Sequence, residues 1–111
     1  MTVRPAVLRE LAEQDIQQII DNYAAEAGSA VAARFVDALE DAFARIEQYS
    51  GVGSLRYAYE LDLPGLRALS LRTWPFMIFY VERDDCLDVW RGLHAHRDIP
   101  NWMQNPEKPL R

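Results

Sequence analysis

The chain has 111 residues and a mass of 12.8 kDa, half of them hydrophobic and a quarter charged, a composition that fits one globular domain and excludes a disordered or fibrous chain. Twelve basic residues face seventeen acidic ones, a net charge of −5, which disfavours generic, high-affinity binding to nucleic acid phosphates. No apolar run approaches the ~20 residues of a membrane span, no secretory signal is expected, and the single cysteine, Cys86, has no internal partner, so a reducing cytoplasm is the expected compartment.

The charge is unevenly spread. Residues 1–50 hold four Arg against nine acidic residues, whereas residues 51–111 hold eight of each sign. Lys108 is the sole lysine, so arginine forks dominate the basic chemistry.

Val3 to Val7 is short, with Pro5 inside it, and reads as an edge strand at best. From Leu8 the period lengthens: Leu8, Leu11, Ala12, Ile16, Ile19, Ile20, Tyr23 and Ala27 fall at steps of three and four. That spacing predicts an amphipathic helix of about five turns, ended at Gly28 in a left-handed cap. Ser29 is expected to cap a second helix, whose stripe is Ala32, Phe35, Val36, Leu39, Ala42, Phe43, Ile46 and Tyr49. With almost no loop between them, the two helices form an antiparallel hairpin over residues 8–50, stopped by Ser50-Gly51-Val52-Gly53.

The rest reads as strands. Tyr57, Tyr59 and Leu61 alternate, predicting a strand over Tyr57–Leu63, and Pro64-Gly65 turns it. Leu66–Leu71 is the next strand, Trp74-Pro75 breaks it, and Phe76–Val81 is apolar on both faces like a central strand. Asp84-Asp85 marks a hairpin turn, after which Leu87, Val89, Arg91 and Leu93 alternate with Asp88, Trp90, Gly92 and His94. The tail from Pro100 reads as irregular or a short helix. Helices followed by sequential strands give an α+β fold: an N-terminal edge strand and a helical hairpin packed on a mostly antiparallel sheet of three to five strands, about residues 56–96. The other sheet face is expected to be polar-mixed (Arg67, Arg91) or aromatic (Trp90, Tyr80).

Several groups of residues fall in an ordered set from about Ala6 to Ile99. They are Asp15-Ile16 with Ile19; Tyr23, Gly28, Ala33 and Phe35; Gly51-Val52-Gly53; Ile78-Phe79-Tyr80; and Leu93-His94-Ala95-His96-Arg97-Asp98-Ile99. Together they resemble the RelE/ParE toxin superfamily of bacterial type II toxin–antitoxin systems, and its ParE branch most closely. The chain departs from that pattern at the Gly turn, which lacks the usual Pro and Arg. It departs again at Glu82, which stands where Arg often follows the tyrosine, and in its acidity.

The resemblance implies one of two chemistries. Ribonuclease members of the superfamily cleave mRNA on the ribosome with a general base, an Arg for phosphate charge and a C-terminal acid. The candidates for those roles here are Glu60, Arg72 (or Arg67) and His94. Met77 stands where that branch tends to place an Arg, and Ala95 follows His94 where an aromatic often stands. The ParE branch instead poisons DNA gyrase by binding, which implies a surface on the last strand and tail: Trp90, Arg91, His94, Arg97 and Trp102. Binding without catalysis is the expected mode, as plasmid-stabilisation toxins of this branch act. A non-toxic relative serving as co-repressor is the third reading.

Each residue also has a plainer role. Trp90 reads equally as core and Arg97-Asp98 as a local salt bridge. His94, His96 and Asp98 have metal-ligand spacing on a strand face; the strand is expected to end near His94 and no fourth ligand suggests itself, so no metal and no cofactor are expected. Asp15 reads as a hydrogen-bonded structural residue. Acidic neighbours of Cys86 would raise its thiol pKa, making it a poor nucleophile. The resemblance implies a co-encoded antitoxin, ParD-like or other, in a hetero-oligomer (a heterotetramer is expected), and the acidic helical half suits basic residues in its tail.

Overall fold

A computed structural model describes residues 4–96 and 99–103, the side chains of residues 101 and 102 excepted. Strand β1 (Ala6–Leu8) leads into helices α1 (Glu10–Ala27) and α2 (Ser29–Gln48). A 3₁₀ turn (Ser50–Val52) and a short helix α3 (Arg56–Glu60) follow, then β2 (Leu66–Ser70), β3 (Phe76–Glu82), β4 (Leu87–His94) and a closing helix α4 (Ile99–Met103). The four strands form one sheet in the order β1-β4-β3-β2. β1 runs parallel to β4, and the other pairs are antiparallel. This is the α+β architecture that the change of period predicts. Leu8 belongs to β1, paired with Val89, so α1 starts later than the apolar spacing alone suggests.

The hairpin link is a single residue. Gly28 has φ 96° and ψ 164° and caps both helices, so the left-handed cap and the Ser29 cap are both corrected. Its φ is positive but its ψ is extended, a region essentially confined to glycine. Ser29 is already helical, with no side-chain cap at that end.

The sheet carries an apolar layer on each face. Against the hairpin, Ala12, Ile16, Phe35, Leu39 and Ile46 pack on Ile78, Tyr80, Leu87 and Val89. Fully burying one such large side chain contributes roughly 1.5–3 kcal/mol. On the opposite face Leu66, Ala68, Phe79, Val81 and Leu93 pack under Ala58, Ile99 and Met103. The polar-mixed second face is therefore corrected: α3 and α4 cover it, and Tyr80 belongs to the hairpin side.

Two further expectations fall to local geometry. The expected strand over Tyr57–Leu63 is helix α3, ended at Asp62 with φ 54°. Tyr57 packs edge-on against Phe79 and Leu61 joins the same layer, an i, i+4 pair on one helical face, while Tyr59 is 81% exposed. The even alternation along β4 is broken by a bulge. Tyr80 pairs with Val89 but Phe79 with Arg91, so Trp90 is the extra residue. The bulge resets the faces: Leu87 and Val89 point at the hairpin, Leu93 at the other side.

Candidate functional site

β1 covers β4 only over Leu87–Val89. β4 runs on to His94, and there α1 flanks it in place of a strand. Asp15 of α1 makes the junction. Its carboxylate accepts from Arg91 Nε at 2.7 Å and Arg91 Nη2 at 2.8 Å, and from the Gly92 backbone N–H at 3.2 Å. Asp15 thus takes the place of a neighbouring strand's carbonyl. Gly92 suits this approach, because a Cβ there would lie 3.3 Å from Ile16.

Beyond the junction a cavity of about 280 Å³ opens between the later turns of α1 and the end of β4. Ile19, Tyr23 and Phe76 give it apolar walls; Gln18, Asn22, Glu26 and His94 give it polar ones. Tyr23, Phe35, Trp74 and Phe76 form an aromatic cluster beneath, with ring centroids 5.1–6.0 Å apart. Burial pushes the Tyr23 phenol above its ordinary pKa. The His94 ring stands edge-on to Phe76 at 5.0 Å, and its Nδ1 accepts from the His96 N–H at 3.1 Å.

A second cluster forms at the bulge. Asp88 accepts from Arg9, Arg83 and the Trp90 indole N–H at 2.9–3.2 Å. The Arg9 guanidinium lies 4.5 Å over the Trp90 ring, a cation–π contact. Burial pushes the Asp88 carboxyl up, but the hydrogen bonds from Arg9, Arg83 and Trp90 outweigh it and hold the pKa below the ordinary value.

A third network pins the turn after α2 onto the sheet. The buried Tyr80 hydroxyl donates to Ser50 O at 2.7 Å and accepts from Gly53 N at 3.0 Å. Arg67 donates to Gly51 O and Gly53 O and pairs with Glu82, which also takes Ser50 Oγ and Arg4. The Ser50 hydrogen bond, joined against burial by Arg67 and Arg4, lowers the Glu82 pKa. Ser54 then bridges to Ala68 and blunts the β2 edge.

The sequence-selected residues are therefore scattered. Glu60 sits on exposed α3 and pairs with Arg56. Arg72 lies exposed in the turn after β2 and lines a separate cavity against α2 with Arg45 and Asp41. His94 lies at the α1–β4 cavity. Arg91, expected at a target surface, is 3% exposed and turned onto Asp15. Trp90 is half-buried and His94 partly exposed. Arg97, Asp98 and the Trp102 side chain lie outside the described residues. Among the described residues no three His, Cys, Asp or Glu side chains cluster as for a metal. Local desolvation and Asp85 raise the Cys86 thiol. Sequence reasoning missed the cavity's α1 wall of Gln18, Asn22 and Glu26. The signal for it was present in α1, which has five acidic residues and no basic one.

No helix among the described residues is long and apolar enough to cross a membrane. No curated protein matches the chain. Among solved structures, the chromosomal ParDE toxin–antitoxin system from P. aeruginosa contains a chain of similar fold. The TM-score is 0.70 at 21% identity, covering 85% of this chain and 98% of that one. A family model described as the ParE toxin of the type II toxin–antitoxin system parDE matches residues 6–99, from β1 to the first residue of α4. The chain belongs to the ParE toxin family of type II toxin–antitoxin systems.

Proposed function

We propose that this chain is the toxin of a type II pair in the cytoplasm, held inactive in a hetero-oligomer by an antitoxin encoded beside it. Freed, it stalls DNA gyrase by binding and makes or breaks no bond itself. The observation that carries this reading is the family match over residues 6–99. The geometry supports its non-catalytic half. A ribonuclease would need a base, a phosphate clamp and an acid converging within hydrogen-bond reach of one scissile bond. Glu60 is occupied by Arg56, while Arg72 and His94 line different cavities. A binding toxin needs only anchors, and aromatic and Arg side chains are the usual ones. Trp90 with its Arg9 lid, and His94 at the strand end, are the described candidates; Arg97 and Trp102 complete the set expected from sequence.

The test is a gyrase supercoiling and cleavage assay with purified, folded protein freed of antitoxin. Inhibition with trapped DNA breaks is expected. An unaffected gyrase would overturn the gyrase target. Cleavage of mRNA on ribosomes in a parallel assay would overturn the non-catalytic reading. Absence of growth arrest on induction would leave the chain a non-toxic partner.

A further inference from the structure

Arg4, Arg9, Arg56, Arg67, Arg83 and Arg91 each pair with a carboxylate. Among the described arginines that leaves Arg34, Arg45 and Arg72 without an acidic partner. Two of these, Arg45 and Arg72, line one cavity of about 330 Å³ between α2 and the turn after β2. Ala38, Asp41, Arg45 and Gln48 follow at steps of three and four and share one face of α2. Ala38 and Ala42 carry only methyl groups, which leaves the space open. Arg45 also has a plainer role, as the basic residue at the negative end of the α2 dipole. Arg72 has no such role. Its turn is held on both sides: the Leu71 N–H donates to Phe76 O at 3.0 Å, and Trp74 sits edge-on to Tyr23 and Phe35. Between these anchors Thr73 has φ 61°, a left-handed conformation that a β-branched residue adopts only under strain. The turn therefore holds Arg72 at a fixed place against α2.

We propose that this cavity binds a small phosphate ester, nucleotide in size, with its phosphoryl oxygens shared between the Arg45 and Arg72 guanidinium groups. A guanidinium fork takes two oxygens of an anion at once. A carboxylate's two oxygens are matched by one fork, whereas a phosphoryl group has oxygens for two. Gln48 carries a further amide donor on the same face. At about 330 Å³ the space falls within the range of small-molecule pockets, about 300–1,000 Å³. The net charge of −5 opposes the long-range attraction on which a nucleic acid strand relies, so the ligand is small and held by short contacts. Asp41 lines the same cavity and opposes an anion, but it is exposed to water, which screens it. None of these residues belongs to the Trp90–His94 surface, so the site stands whether or not gyrase is the target.

The experiment is a calorimetric titration of the full chain with inorganic phosphate, adenosine monophosphate, acetate and a short oligothymidylate. Saturable binding of phosphate is expected, with the mononucleotide bound more tightly. Arg45→Gln and Arg72→Gln should each weaken mononucleotide binding at least about tenfold, the effect of losing charge-assisted hydrogen bonds. Arg34→Gln removes the same charge from an exposed position of α2 outside the cavity and should change binding less than about twofold. Asp41→Asn should tighten binding about two- to threefold. Melting curves establish that each variant is folded, and Arg72→Gln, at an exposed turn position, keeps the test decisive if Arg45→Gln unfolds. No saturable binding of phosphate or mononucleotide, or a loss from Arg34→Gln equal to those from the cavity pair, overturns the site. Acetate bound as tightly as phosphate overturns the phosphate assignment in favour of a carboxylate. Oligothymidylate bound more tightly than the mononucleotide overturns the small ligand in favour of a strand's phosphodiester.

Discussion

Two glycines, two residues apart in the turn after α2, should respond oppositely to alanine. Gly53 has φ −72° and ψ 149°, a conformation open to any residue. Its requirement is therefore steric. A Cβ at this position would lie 2.8 Å from Tyr80 Oη, 2.9 Å from Tyr80 Cε1 and 2.9 Å from Arg67 Cβ. Tyr80 cannot yield, because it is 0% exposed in the hairpin core. The turn must lift instead, stretching the bonds from Tyr80 to Ser50 O and Gly53 N and from Arg67 to Gly51 O and Gly53 O. Overpacking of this kind costs about 1–3 kcal/mol. Leaving the buried hydroxyl's partners unsatisfied adds about 1–3 kcal/mol. Gly53→Ala is therefore expected to lose about 2–5 kcal/mol, a large part of a typical domain's 5–15 kcal/mol, and to lower Tm by roughly 8–20 °C.

At Gly51 the nearest atom to a new Cβ is Arg67 Nη2 at 3.9 Å, ordinary contact. Gly51→Ala should be neutral or gain up to about 1 kcal/mol by restricting the unfolded chain. Urea and thermal unfolding measure both. Combining Gly53→Ala with Tyr80→Phe provides an internal check. Removing Oη takes away one of the three clashes, so the double variant should lose less than the sum of the singles. A Gly53→Ala protein within about 0.5 kcal/mol of the parent, or one no worse than Gly51→Ala, would refute the steric reading.

Two other outcomes are expected. Glu82 and Asp88 have pKa values held below their ordinary 4.5 and 3.8. Their contribution is present above the unfolded pKa and lost as pH falls through the folded one, so stability should decline from about pH 4.5 downward. A Glu82→Gln, Asp88→Asn double variant should show a shallower acid decline, and an unchanged slope in urea melts across pH 2–5 (about the carboxylate range) would contradict the assignment. Arg91→Met should cost about 3–5 kcal/mol, because it strips the partly buried Asp15 carboxylate of its buried guanidinium partner. Adding Asp15→Leu should restore much of that loss, and a double variant as unstable as Arg91→Met would show that the ion pair is not the cause.

The parts of the fold that were legible in the sequence are those with one dominant period or with clear turn residues at both ends. α1 and α2 carry runs in which only the helical spacing explains the apolar residues, and β2, β3 and β4 are short apolar-rich runs bounded by turn signals. Tyr57, Tyr59 and Leu61 did not decide between strand and helix. The outcome hinged on which of the three is in water, and that depends on Phe79, brought near by the tertiary fold. The bulge at Trp90 carries no Gly or Pro to mark it, so the faces of Arg91 and Leu93 could not be read. The Asp15–Arg91 contact joins residues 76 apart; Asp15 was legible as structural, but its partner was not. The scatter of Glu60, Arg72 and His94 likewise follows from topology, since residue types alone do not say which strand end each occupies.

The departures from the superfamily pattern at the Gly turn and at Glu82 have a joint physical explanation. The turn lacks the arginine of the family pattern, yet its carbonyls are not left without a cation: Arg67, from β2, reaches Gly51 O and Gly53 O. That guanidinium, with Arg4 beside it, lies against position 82 of β3. An arginine following the tyrosine would there face two like charges in a partly buried site. A carboxylate instead ties both arginines and Ser50 Oγ together and secures the same Tyr80–Ser50–Gly53 bonds on which the turn depends. In this chain the cation that serves the turn's carbonyls comes from β2 and its counter-charge from β3, so Arg67 and Glu82 hold the turn as one charge-paired unit.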